Sequence, residues 1–509
     1  MISTDTCKSL YEKYRDLRLL NKYEEYALWT VPSVFGSSFS RTDLKGNEIL
    51  HRDFQSIGGI LVNSLTAKLT KLLFPVGVSF FKVKDTKELK EFFKRISPKS
   101  SLYNKTLIEV ENECSERVLY NAGYAQLYQL IRTLIITGNA VVKRHDNALT
   151  VFNPKNFSVL RDNNGVPIDT IIREQLSCAN LPEEVRMHPR FANKKPEDTV
   201  ELFTRIRRKP GDKHLVYQEI EDIPVGEQIL YAKNACPYFA VAWSVVNGDS
   251  YGHGLVEDYA GDFAKLSMLS EALSLYEIDA CKVVNLVKAG DGGDIDALAQ
   301  AQTGDWVQGD PDAVGKTETG NFMMIKEILA DIDAIFQRLS IAFMYSANVR
   351  DAERVTAEEI RQKVQEADQT LGGVYSQLSE ALHKPLAYLL IAEASPEFKS
   401  AIVANKLDIQ ILTGTLALGD SNDVSRLLQA MQIIGVVIPA MSQVSKRFDT
   451  EKTIDTILMK NGVNREDYMK SQQQLEEEEQ QQQQQMAQMA QQANALESSQ
   501  AAGELQQGF

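Results

Sequence analysis

Apolar positions recur at steps of three and four through most of the first 135 residues, the period of helices with one buried face. The run YEKYRDLRLLNKYEEYALWTVP predicts an amphipathic helix that stops at Pro32. FQSIGGILVNSLTAKLTKLLFP predicts a second that stops at Pro75. Helical spacing returns from Leu107 to Leu130, and LIITGNAVVKR then passes into alternation. From about residue 140 to 245 the period is two. Short runs FSVL, TIIRE, VELFTRI, LVYQEI and YFAVAWSVV are separated by turn residues Asp162-Asn163-Asn164-Gly165 and Pro210-Gly211-Asp212. These patterns predict an α+β chain, mainly helical.

Two long helical stripes follow. Leu255, Tyr259, Phe263, Leu266, Leu269, Leu273, Tyr276 and Ala280 form the first; Phe322, Ile325, Leu329, Ile332, Phe336, Leu339 and Phe343 form the second. Between them lies an insert rich in Gly and Asp with two short strand-like pieces. After the second comes the polar stretch YSANVRDAERVTAEEI, residues 345–360. Thr356 and Glu359 end it as a capping box for a third helix, striped by Ile360, Val364, Ala367, Leu371, Val374, Leu378 and Leu382 and bent at Pro385. Beyond about residue 395 the pattern is again helical. The final stretch, with LEEEEQQQQQQ, has no basic residue after Lys470 and few apolar ones, so an assembly-dependent helix or a disordered tail is expected.

At 509 residues the chain has room for two to four domains. Its net charge of −14 excludes a general nucleic-acid clamp, which gains affinity by neutralising phosphates. Cys7, Cys114, Cys178, Cys236 and Cys281 are odd in number and form no CxxC pair, so reduced thiols are expected. The start carries no apolar run of signal-peptide type. The most apolar later run, residues 427–441, is too short to span a bilayer and contains Gln429, Gln432 and Pro439, so no membrane contact is expected.

Candidate chemistry is sparse. GDPDAVGKT, residues 309–317, ends like a phosphate loop, but five residues separate Gly309 from Gly315 where four are needed, and Pro311 removes a donor. GDGGDIDA, residues 290–297, lacks the alternate spacing of a calcium loop. The six histidines, His51, His145, His188, His214, His253 and His383, stand singly, so no metal site is expected. GDSYGHG, residues 248–254, reads as a tight turn into a helix. RIRRKPGDKH, residues 205–214, is a basic patch without interleaved aromatics and reads as a solvated hairpin. No catalytic constellation and no cofactor motif is present.

Several stretches resemble one family, the portal or head-to-tail connector proteins of short-tailed, podovirus-type bacteriophages. They are WTVPSVF, LTAKLTKLLFP, LIITGNAVV, ACPYFAVAW, DSYGHGLVEDYAGDF, AQTGDWVQGDP and, most specifically, ERVTAEEIR with TLGGVYSQLSEALHKPL. They fall in the family's order between about residues 10 and 390. The resemblance implies a portal fold of wing, stem, clip and crown, assembled as a homododecameric ring at one capsid vertex. That ring passes double-stranded DNA inward during packaging and outward during ejection, without chemistry of its own. It implies a wing at 1–254, stem helices at 255–282 and 324–345, a clip at 283–323, a tunnel loop at 346–354, a long wing helix at 355–395, a crown at 396–470 and a tail at 471–509. Implied partners are the major capsid protein, a scaffolding protein, the large terminase subunit, a tail adaptor and internal core proteins. The implied location is the virion, and the host cytoplasm during assembly.

On this resemblance Asn348, Arg350, Asp351 and Arg354 of the tunnel loop face DNA, while Asp305, Trp306, Asp310 and Lys316 of the clip dock terminase and adaptor. Arg354 pairing with Glu358 along the helix start is the plainer reading of that arginine. Helix axes about 10 Å apart give twelve inner helices a circumference of about 120 Å. Removing helix half-widths leaves a hole of about 28 Å, wide enough for a duplex and a water layer. An acidic lumen would repel phosphates and keep the duplex from sticking. Two other classes remain open: a packaging ATPase using Gly315-Lys316-Thr317, and a monomeric adaptor.

Overall fold

Polar caps start the first two helices. In α1 (Cys7–Tyr14) Thr6 Oγ1 accepts from the Ser9 amide, and in α2 (Leu17–Trp29) Asp16 accepts from the Arg18 and Leu19 amides. The computed structural model describes residues 6–35, 53–74, 79–84, 86–96, 103–118, 123–191, 194–280, 283–287, 300, 314–318, 322–345, 373 and 377–411. All lie in the first of two compact units, Met1–Thr415; the second, Leu416–Phe509, falls outside them. So does most of the stretch 345–360, with its capping box, and so do the predicted crown beyond residue 411 and the tail.

α2 ends before Pro32, which opens a 3₁₀ turn, Pro32–Phe35; α3 (Ile57–Leu73) ends before Pro75. β1 (Phe81–Val83), α4 (Lys87–Ile96), α5 (Tyr103–Arg117) and α6 (Gly123–Thr137) follow. Leu61, Leu65 and Leu69 of α3 interlock with Leu127, Ile131 and Leu134 of α6 in the largest core.

The region of period two becomes two sheets. Chain order gives β2 (Asn139–His145), β3 (Ala148–Phe152), β4 (Phe157–Arg161), β5 (Pro167–Ser177), the short α7 (Glu183–Arg186), β6 (Thr199–Lys209), β7 (Lys213–Ile220), β8 (Ile223–Tyr231) and β9 (Tyr238–Ala242). β4 to β8 form a five-stranded antiparallel meander, and β3-β2-β9 a three-stranded sheet. The predicted turns fall where left-handed backbone is needed, at Gly165 (φ 77°), Gly211 (φ 78°) and Asp212 (φ 56°). Ile171 and Ile172 show why the runs are so apolar. Successive side chains point to opposite faces, so Ile171 packs under Leu10 and Tyr11 of α1 while Ile172 packs with Phe152 and Val141 of the smaller sheet. The run YFAVAWSVV is strand only to Ala242: beyond Trp243 the chain leaves the sheet, and Val246 is exposed.

The first long stripe is helical in two pieces, α8 (Leu255–Asp258) and α9 (Ala260–Ala280), interrupted at Tyr259 with φ −112°. β10 (Val283–Val287) and β11 (Val314–Glu318) pair antiparallel, and α10 (Phe322–Ala342) returns beside α9. The bend expected at Pro385 takes the form of a π turn, Ser379–His383, followed by α11 (Lys384–Ala394) with the proline in its first turn. Proline lacks the amide that would close an α-helical bond there, and a widened turn accommodates its ring. Leu378 and Leu382 of the third stripe are buried. α12 (Pro396–Val403) and β12 (Ile409–Ile411) close the described chain, β12 pairing with β1. Cys7, Cys114, Cys178 and Cys236 are buried and unpaired. Among the described residues no helix is long and apolar enough to cross a membrane.

Candidate functional site

Among the described residues the α9–α10 hairpin is packed most closely at its base. Phe263 and Phe343 meet edge to face at 5.6 Å, with Tyr259 at 6.0 Å from Phe343; Leu266, Ile335 and Leu339 are buried beside them. Farther along, burial fades. Leu269, Leu273, Tyr276, Ile325 and Ile332 are half-buried, while Met268, Leu275 and Ile278 are 70%, 56% and 60% exposed. The stripes therefore do not belong to an ordinary helical pair inside a core. Over its 21 residues α9 extends about 32 Å at ~1.5 Å per residue.

Charge on the hairpin is one-sided. Asp262, Glu271, Glu277, Asp279, Glu327, Asp331 and Asp333 stand against Lys265, Lys326 and Arg338. Two of those three bases are pinned within the hairpin, Lys265 to Asp331 at 3.1 Å and Arg338 to Asp262 at 2.7 Å. Little positive charge remains to hold a phosphate.

Both ends of the hairpin base are fixed. On entry, Gly138 (φ 73°) crosses the 252–254 backbone so closely that a Cβ would lie 2.4 Å from the His253 carbonyl carbon, and a Cβ on Gly254 would lie 2.7 Å from Gly138 N. Asn139 seals the crossing: its Nδ2 donates to Gly252 O at 2.7 Å and to Tyr23 Oη at 2.9 Å. Two glycines of GDSYGHG, Gly252 and Gly254, thus serve a tight backbone approach, while Gly248 (φ 97°) serves the turn. His253 follows, its ring between Glu257 at 3.0 Å and Asp249 at 3.4 Å. Partial burial opposes its charge, but the two carboxylates prevail and its pKa is raised. On exit, Met344 turns left-handed (φ 52°) and Lys68 Nζ donates to its carbonyl; the Tyr345 ring lies 5.8 Å from Phe336. The stretch that begins at residue 346 therefore starts from a clamped point.

The returning chain is anchored by His383. It is fully buried, its Nε2–H donates to Leu73 O at 2.9 Å, and its ring packs on Phe74 and Phe80 at 4.8 and 5.2 Å. Among the described residues the other ring nitrogen has no hydrogen-bond partner. Burial pushes the imidazole down to about 3, so it is neutral at physiological pH.

Of the sequence-predicted residues, Asn348, Arg350, Asp351, Arg354, Asp305, Trp306 and Asp310 lie outside the described residues, and for Lys316 only the backbone is described. That backbone decides one alternative. Gly315, Lys316 and Thr317 sit inside β11 opposite Leu286, Asn285 and Val284, so this Gly-Lys-Thr run is paired strand and not the loop of a phosphate cradle. The basic patch 205–214 is partly neutralised: Arg205 is buried against Asp169, and Arg208 shares Asp212 with Lys233, their hydrogen bonds holding its carboxyl down to about 2. Asn139 carried the signal of a polar residue inside an apolar run, whereas His383 stands beside Lys384 and Pro385 and its burial left no such trace.

A family model described as bacteriophage head to tail connecting protein matches residues 4–469. The portal protein of Pseudomonas phage phiKMV is 36% identical over 502 residues, covering 97% of this chain and 98% of its own length. The portal protein of Escherichia phage T7 is 29% identical over 464 residues, 86% of this chain and 83% of its own. Among solved structures, a chain from the neck of an empty GTA particle is 13% identical, with a TM-score of 0.37, over 84% of this chain and 93% of its own length; likeness that low bears on neither fold nor function.

Proposed function

The chain belongs to the family of bacteriophage head to tail connecting proteins and serves at the portal vertex of the virion, and from that premise we propose that copies of it close into a ring whose channel is walled by the α9–α10 hairpin. One observation carries this reading. The hairpin leaves the core with exposed apolar residues on a helix that is otherwise acidic. Exposed Met268, Leu275 and Ile278 call for cover, and a neighbouring copy supplies it in a head-to-tail contact between two different patches. Surplus carboxylates repel the phosphates of a passing duplex, so DNA is surrounded without being gripped.

Twelve copies give a channel of about 28 Å from helix packing alone. Arg350 and Arg354, with Asn348 and Asp351, would touch DNA at the loop that starts beyond the Tyr345 anchor. Asp305, Trp306, Asp310 and Lys316, in the insert carried by the β10–β11 ladder, would dock the large terminase subunit and later the tail adaptor. Capsid, scaffolding and internal core proteins complete the partners, and assembly takes place in the host cytoplasm.

Negative-stain imaging and native mass spectrometry test the ring. The purified chain should form twelve-membered rings, and the pair Met268→Asp and Leu275→Asp should leave thermal unfolding near wild type while abolishing them. A chain that stays a single copy under all conditions, or that hydrolyses ATP unaided, ends the reading.

A further inference from the structure

Between the β4–β5 and β6–β7 turns, β9 and the start of α11 lies a cavity of about 580 Å³, within the size range of ligand and peptide pockets. Arg161 lines it. Its Nε donates to Ser250 O at 3.2 Å and its Nη1 to Gly165 O at 2.8 Å, but among the described residues no carboxylate lies at ion-pair distance from it. Asp162, its sequence neighbour, lies 3.6 Å from Arg208 instead. Two carbonyls take two of the five N–H donors of the guanidinium and bring no negative charge, and keeping such a charge from water is unfavourable. Burial lowers its pKa to about 10.

The rest of the lining points the same way. Arg208, Lys233 and Lys384 bring the cationic side chains to four; Asp212 pairs with Arg208 and Lys233, which leaves Arg161 and Lys384 against Glu380. His214 lines the cavity with a buried Nδ1 that has no hydrogen-bond partner among the described residues. The remaining wall is apolar, with Tyr238 and Phe239 inside and Val166 and Ile168 at a lip where they are 39% and 37% exposed. Free phosphate would leave that wall unused, and a duplex about 20 Å across is too wide to enter.

We propose that this cavity docks a short acidic segment of a partner protein, a carboxylate meeting Arg161 while an adjacent aliphatic or aromatic side chain packs between Ile168 and Tyr238. The site would be a fixed socket in the wing, and the proposal does not depend on ring closure. A carboxylate that meets a guanidinium lacking an ion-pair partner among the described residues forms a charge-assisted contact, so binding should weaken as salt rises.

The test uses the full chain and a fluorescein-labelled peptide, Glu-Leu-Glu-Phe-Glu-Leu, followed by anisotropy. Binding in the micromolar range is expected, falling at least tenfold for the Gln-Leu-Gln-Phe-Gln-Leu peptide and at least tenfold for Arg161→Gln. Ile168→Glu, at the exposed lip, should weaken it similarly with an unchanged melting temperature, so the test survives if Arg161→Gln does not fold. Lys399→Gln, on exposed α12, should bind like wild type. No binding, equal binding of the glutamine peptide, or indifference to both Arg161→Gln and Ile168→Glu overturns the proposal. Displacement by millimolar inorganic phosphate assigns the cavity to a free anion and overturns it as well.

Discussion

Asn139 grips Gly252 by both backbone groups, donating to its carbonyl and accepting from its amide, each at 2.7 Å. One amide side chain thereby joins the α6–β2 corner to the loop that launches the hairpin, and Tyr23 of α2 makes the third partner. Asn139→Ala would leave the Gly252 amide unmatched in a buried site, while Tyr23 Oη still donates to Gly252 O at 3.2 Å. The expected loss is about 1–3 kcal/mol, read from chemical denaturation. Asn139→Asp, which keeps the acceptor for the Gly252 amide but not the donors, should fall in between or below if its charge goes unpaired.

Gly58 sits where a Cβ would lie 2.2 Å from Trp29 O, so α3 touches the end of α2 backbone to backbone. Gly58→Ala forces the two helices apart and should cost about 1–3 kcal/mol as overpacking. A melting temperature equal to wild type would show that this contact relaxes freely.

Arg205 and Asp169, nearly inaccessible on neighbouring strands, bond through Nε at 3.0 Å and Nη2 at 2.5 Å. Asp169→Ala strands a buried cation and should cost about 3–5 kcal/mol, whereas replacing both partners by Leu and Met should cost far less. Equal losses from the single and the double variant would contradict this account of the pair.

Two histidines give opposite pH dependence. His253 binds its proton more tightly when folded, so its contribution is full below 6.5, the ordinary value, and is lost as pH rises through the raised one. His383 is the reverse: neutral when folded, it is protonated in the unfolded chain below 6.5, so stability falls as pH drops toward about 3. At pH 5 the His383 loss should be about 2 kcal/mol. Melting curves at pH 5 and 7.5 should show that loss shrinking in His383→Leu relative to its own pH 7.5 stability. For His253→Gln, the decline between neutral and mildly alkaline pH should flatten.

The secondary elements were largely legible. Steps of three and four gave α2, α3 and the two hairpin helices, prolines marked their ends, and Gly165 and Gly211 marked turns that require left-handed backbone. Local sterics and one-sided burial act over a few residues, so they leave a trace in a short window of sequence. The π turn before Pro385 was legible only as a bend.

Partners across long stretches of chain were not legible. Alternation said that Ile171 and Ile172 are buried, but not that one lies under α1 and the other on a second sheet. RIRRKPGDKH looked basic because Asp169, 36 residues from Arg205, supplies its neutralising charge only once β5 and β6 pair. Arg161 and His383 read as ordinary residues until folding partly buried the one and fully buried the other. Periodicity records which face of an element is hidden. What hides it, and what charge sits opposite, arises only when distant segments meet and the dielectric around them falls.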